Sequence, residues 1–251
     1  MQTLDPLLVV LLASGMLVAA FLYASVGHGG ASAYIAAMAI AGIAPAEMRP
    51  IALQLNVLVS AIAAVKFYRA GHFRWRLFWP FAAVSIPAAY LGGAITLPGT
   101  AYKVLVGVVL LYAAWQLWWS ARAGEELRPV RQVPVPLAMA IGAVLGVLSG
   151  LTGVGGGIFL SPLLLLFGWA GTKQTSAVAA PFILVNSLAA LAAGFVRNPA
   201  LPPDYAWWLM AAVLLGGWTG AEYGSRRFAN PLIRRVLAVV LAIAGGKMVL
   251  V

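Results

Sequence analysis

Hydrophobic positions run along this chain in long blocks, and the breaks between blocks fall at charges, prolines and glycines. Dividing it there gives ten apolar segments, at about 7–26, 31–43, 50–68, 77–97, 102–120, 136–152, 157–169, 176–196, 206–221 and 232–250. From Pro6 to Ala46 there is no Asp, Glu, Lys or Arg. A hydrocarbon core of about 30 Å takes roughly 20 helical residues to cross, and most of the blocks approach that length. Lipid cannot satisfy loose backbone groups, and no block alternates with the period of a barrel strand, so the spans are predicted to be helices. The second and seventh blocks are the exceptions. At 1.5 Å per residue they reach only roughly 20 Å, so they are predicted to be short or re-entrant.

Composition agrees with that reading. The chain is 63% hydrophobic and 9% charged, with a mean hydropathy of +0.96, which describes an all-α integral membrane protein. The net charge of +10 would suggest nucleic-acid binding in a water-soluble domain. Here the basic residues sit between apolar blocks, where they orient a membrane protein and meet lipid headgroups, so no nucleic-acid partner is expected. The absence of cysteine removes thiolate chemistry and Cys-based metal sites. The N-terminus carries Asp5 in place of a basic n-region and is read as a retained first span.

The least hydrophobic connection, 121–135, divides the blocks five and five, into 1–120 and 136–251. The halves resemble each other. GHGGA at Gly27 to Ala31 matches GVGGG at Gly153 to Gly157, and LGG at Leu91 to Gly93 matches LGG at Leu215 to Gly217. KVLVGVVL from Lys103 resembles RVLAVVLA from Arg235. Asn56 and Asn186 correspond if one helical turn is inserted. Five passes is an odd number, so a duplicated unit of five must lie upside down against its copy, as an inverted-topology repeat. The basic residues test this. Twelve (Lys66, Arg69, Arg74, Arg76, Arg122, Arg128, Arg131, Lys173, Arg226, Arg227, Arg234, Arg235) fall on the connections opposite the N-terminus and four (Arg49, Lys103, Arg197, Lys247) on the other set. That asymmetry places both termini outside the cytoplasm.

Short or glycine-interrupted segments at matching places in two halves point to a transporter binding site. The turns at Gly27, Gly29 and Gly30 and at Gly153, Gly155, Gly156 and Gly157 are therefore candidates to hold an anion on backbone N–H groups; close helix packing is the competing explanation. His28 is either a proton carrier or a neutral donor closing a helix end. Gln54, Asn56 and Asn186 are buried amides that must bond another helix or a ligand. Thr175 and Ser176 are either helix caps or further donors. Arg49 and Lys173 are read as equivalent interfacial cations that snorkel or steer anions. No carboxylate falls inside a span, and the chain lacks the groups for hydrolytic or metal-dependent catalysis, so neither an enzyme nor a cofactor is expected.

These residues resemble the sulfite exporter TauE/SafE family: the paired glycine elements GHGG and GVGGG, the LGG of each half, and the short polar centre. The resemblance implies a transporter of small sulfur-containing or carboxylate anions in a bacterial cytoplasmic membrane. Its glycine signature falls on Gly27, Gly29 and Gly30 and on Gly153, Gly155, Gly156 and Gly157; His28 departs from the commoner small residue there. The expected mechanism is secondary transport by alternating access, with a coupling proton or counter-ion left open. A passive anion channel and a scaffold subunit without transport are the alternatives.

Overall fold

The computed structural model describes residues 4–120, 131–197, 202–226 and 231–250. Among them are ten α-helices and no strand: α1 (Pro6–Ser25), α2 (Ala31–Ile40), α3 (Pro45–Arg69), α4 (Trp75–Ala94), α5 (Gly99–Ser120), α6 (Val135–Thr152), α7 (Gly157–Leu166), α8 (Thr172–Arg197), α9 (Asp204–Arg226) and α10 (Pro231–Leu250). The linker at 121–130, with Arg122 and Arg128, lies outside the described residues, as does Arg227. Five helices (α1, α3, α4, α6 and α8) are long and apolar enough to cross a membrane by length and composition. The outer surface is apolar too, with Leu7, Leu215 and Val196 exposed, as a lipid-facing surface requires.

Several boundaries differ from the apolar blocks by a few residues. Helix α3 begins at Pro45 rather than near 50, taking in Glu47 and Arg49, because Pro45 provides a favourable first position and Pro50 is tolerated inside the helix. Helix α8 begins at Thr172, one turn early, and α2 stops at Ile40. Trp75, Trp115, Trp207 and Trp208 are exposed near helix ends as interfacial indoles should be, but Trp169 is buried, stacked on Phe167 and tilted against Phe81.

Glycine stripes set the closest helix contacts. Gly142, Gly146 and Gly150 of α6 lie against the backbone at Phe81, Ser85 and Ala89 of α4, and Gly216, Gly220 and Gly224 of α9 lie against Leu17, Phe21 and Ser25 of α1. Both sets step by four residues in the same sense, so each pair is parallel. Within the membrane such approaches replace the hydrophobic drive with dispersion contacts.

Polar side chains fix the other directions. Tyr205 donates to Glu47 Oε2 at 2.7 Å at the starts of α9 and α3, and Lys66 pairs with Glu222 near their ends, so α3 runs parallel to α9. With its amide oxygen facing Arg74, Gln174 accepts from the guanidinium at 3.0 and 3.1 Å, which joins the starts of α4 and α8. Helix α4 runs opposite to α3, because Arg49 donates to the last carbonyls of α4, at Gly93 (2.6 Å), Ile95 (2.9 Å) and Gly92 (3.3 Å). Arg49 is thus a C-cap for a neighbouring helix. Arg49→Met is expected to cost about 1.5–3 kcal/mol, the range for hydrogen bonds to a charged group. Thermal unfolding in detergent should show a lower midpoint, partly restored by Arg49→Lys.

Candidate functional site

The two short helices start at the level of the bundle centre. Helices α2 and α7 have 10 residues each, about 15 Å at the α-helical rise, or half of a hydrocarbon core. Gly30 and Gly156 immediately precede them with φ of +95° and +77°, in the left-handed region that glycine enters without strain. Helix α2 leads through four residues to the start of α3, and Lys247 at the end of α10 donates to its last carbonyls, Ala39 (2.9 Å) and Ile40 (3.1 Å). Helix α7 leads through five residues to the start of α8. Because α3 and α8 start on opposite faces, the half-helices point outward to opposite faces and their N-termini turn inward.

Between those N-termini stand Asn56 and Ile183, the twelfth residues of α3 and α8. A Cβ on Gly29 would lie 1.8 Å from Asn56 Oδ1 and 3.2 Å from Ile183; one on Gly155 would lie 2.3 Å from Asn56 Nδ2 and 2.8 Å from Ile183. Both turns therefore close on the same two side chains. Asn56 Nδ2 donates to Val154 O (3.3 Å) and Ser187 Oγ (3.0 Å). Since a carbonyl only accepts, this fixes the amide orientation and aims Oδ1 at Gly29. Asn56 is fully buried, and Oδ1 has no hydrogen-bond partner.

Several carbonyls at the turns are tied, while the amides at the half-helix starts are open. Val26 O accepts from Ser176 Oγ (2.8 Å) and contacts His28 Nδ1 (3.0 Å); Gly29 O accepts from Tyr34 (2.8 Å), and Thr152 O from Tyr102 (3.2 Å). The N–H groups of Gly29, Gly30, Ala31 and Ser32, and of Gly155, Gly156, Gly157 and Ile158, have no hydrogen-bond acceptor among the described residues. These are the donors a helix N-terminus leaves unsatisfied. Each end carries roughly half an elementary positive charge, and among the described residues no carboxylate stands between them: Glu47, Asp204 and Glu222 are all in terminal turns.

The remaining predicted residues divide. His28 is half-buried; with Nδ1 on Val26 O it must carry its proton there, so in the neutral ring Nε2 accepts from Ser161 Oγ of α7 at 3.1 Å. These contacts hold the end of α1 and tie the first turn to α7. Ser176 does not cap its own helix; its hydroxyl holds Val26, and its backbone abuts Gly27. Thr175 Oγ1 is buried without a partner. Gln54 is two positions from Asn56, so it leaves α3 on another face, and its Oε1 is also buried and unpaired.

Asn186 donates to Phe182 O of its own helix (2.9 Å) and does not join the two turns; counted from the helix starts, Asn56 of α3 and Ile183 of α8 hold the same place. Arg49 and Ser176 are likewise the fifth residues of α3 and α8, and each sits beside the first glycine of the opposing turn, Gly153 and Gly27. Ile183, Ser187, Ser161 and Tyr34 were not singled out as site residues. The spacing of Ile183 and Ser187, one turn apart on one face, is the only sequence signal for them.

Comparison with known proteins identifies the family. The sulfite exporter TauE/SafE family profile matches residues 11–248. The chain is 41% identical over 239 residues to the "probable membrane transporter protein y4hK" of Sinorhizobium fredii, covering 94% of this chain and 96% of the relative. It is 26% identical over 242 residues to the "probable membrane transporter protein YjnA" of Bacillus subtilis, covering 89% and 92%. No solved structure matches it. A family match over nearly the whole chain, with a well-covered relative, settles its membership: the protein belongs to the sulfite exporter TauE/SafE family of membrane transporters.

Proposed function

We propose that the protein is a secondary transporter of small organic or sulfur-containing anions, working by alternating access around a central site formed by the two glycine turns. The observation that carries this reading is the pair of opposed half-helix N-termini, with eight unpaired N–H groups, facing each other across one buried amide. Two like partial charges in a low-dielectric centre repel unless something negative lies between them. Neutral backbone donors also avoid burying a permanent cation, which favours weakly hydrated anions. Gly27, Gly29, Gly30, Gly153, Gly155, Gly156 and Gly157 shape the cradle. Asn56 separates the turns, Ser176 and His28 hold the first turn, and Gln54, Thr175 and Asn186 contribute the surrounding polar groups.

The reading includes two inverted five-helix repeats, 1–120 and 136–251, joined by 121–135. Its support is the helix pairing: exchanging α1–α5 with α6–α10 turns α1 on α9 into α6 on α4, turns α3 on α9 into α8 on α4, and returns α3 on α8 and α5 on α10 to themselves. The face at the ends of α3 and α9 carries Lys66, Arg69, Arg74, Arg76 and Arg226. The positive-inside rule makes it cytoplasmic, with both termini outside, in a bacterial inner membrane. In the described conformation Asn56 fills the space between the turns, so loading requires the turns to part.

Purified protein in proteoliposomes, preloaded with sulfite, sulfonates or small carboxylates, is expected to accumulate external labelled substrate above equilibrium while the internal pool or a pH gradient lasts. Flux that only dissipates gradients would make it a channel, and no flux of any anion would leave the scaffold role.

A further inference from the structure

The transport reading uses donors, but the centre also offers an acceptor, and that acceptor constrains the substrate. Asn56 is fully buried, its amide orientation is fixed by donation to the Val154 carbonyl, and its Oδ1 faces Gly29 unpaired. The pseudo-equivalent position holds Ile183, so the site is polar on one side and apolar on the other. An unpaired buried acceptor is destabilising, and beside two helix N-termini it is a poor place for a metal cation, which the same partial positive charges repel. A ligand that brings its own proton resolves both demands. Its oxyanion accepts from the turn N–H groups while its O–H or N–H donates to Asn56 Oδ1.

Charge sets a second limit. The N–H groups are neutral, and the cation beside a turn, Arg49 against Gly153, has its guanidinium turned to the last carbonyls of α4, so little at the turns offsets the desolvation of a second full negative charge. Resting on the anion-transport reading, we propose that the substrate is a singly charged oxyanion that carries a hydrogen-bond donor on or close to its head group. Hydrogen sulfite and hydroxy- or amino-substituted sulfonates and carboxylates belong to this class; dianions and donor-free anions do not. Asn56 is the residue that reads the donor, and the apolar Ile183 side takes no part in that recognition.

The test compares two stable anions of equal charge and similar size, 2-hydroxyethanesulfonate and propane-1-sulfonate, in which a methyl group takes the place of the hydroxyl. Binding to the full chain in nanodiscs is measured by calorimetry, with and without sodium, and competition for uptake is measured in proteoliposomes. The expected result is about a tenfold tighter binding of the hydroxyl compound, from one net hydrogen bond in a buried site, with no sodium requirement. Asn56→Leu should reduce that preference to near unity, and the wild-type comparison decides the matter even if this variant fails to fold. Equal binding of both sulfonates would overturn the donor rule while leaving the anion site intact. Sodium-dependent binding without a hydroxyl preference would assign Oδ1 to a coupling cation and overturn it equally. If neither sulfonate, nor sulfite, nor a carboxylate binds, the underlying anion reading itself fails, and the inference falls with it.

Discussion

Gly155→Ala is expected to lower transport at least a hundredfold, whereas Gly42→Ala leaves transport near the wild-type rate. Both glycines have positive φ, +82° and +77°, so an L residue at either costs about 1–2 kcal/mol for the left-handed backbone alone. At Gly42 that is the whole effect, because nothing lies within 4 Å of the new Cβ. At Gly155 the methyl would also meet Asn56 Nδ2 at 2.3 Å, Ile183 at 2.8 Å and Ser187 Oγ at 3.0 Å. It pushes the Asn56 amide off Val154 and Ser187 and occupies the space between the turns. Initial-rate uptake in proteoliposomes, normalised to the folded fraction from size-exclusion chromatography, separates the two variants. Equal rates would mean that the second turn has no part in the site.

Gly224→Val should prevent assembly outright. A Cβ there would stand 1.9 Å from Ser25 O and 2.4 Å from Ser25 C and Cα, all backbone atoms that cannot rotate aside. Helix α1 would have to lift off α9, undoing a stripe shared with Gly216 and Gly220, and overpacking of even ordinary cores costs about 1–3 kcal/mol per site. The matched control is Gly194→Val on α8, which meets nothing within 4 Å. The expected readout is loss of the monodisperse peak in detergent for Gly224→Val and its retention for Gly194→Val. A folded Gly224→Val protein would contradict the described packing of α1 on α9.

The contrast between these glycines explains what was legible in the sequence. Long apolar blocks located all ten helices, because their lengths and breaks reflect the bilayer itself. The doubled glycine cluster before a short block located both half-helices, since a left-handed turn at a helix start demands glycine. The stripes at 142, 146 and 150 and at 216, 220 and 224 carry a packing signal in their four-residue spacing of small residues, but in a chain this rich in glycine and alanine that spacing does not single them out. Within the candidate site, Asn56 stood out as a buried amide. Chemical likeness points from Asn56 to Asn186, whereas the side chain that shares the space between the turns with Asn56 is Ile183, an apolar residue that composition hides. Arg49 was equally misleading: a cation near a span end reads as a lipid contact, and only the fold shows the open carbonyls of α4 beside it.

The chain has no native cysteine, so a single Ser187→Cys thiol reports directly on the space between the turns. Small membrane-impermeant thiol reagents should label it from each face of oriented proteoliposomes, with labelling suppressed by a saturating transported anion. A thiol that stays unreactive from both faces in every condition, while the variant still transports, would place the substrate path elsewhere and contradict the central site.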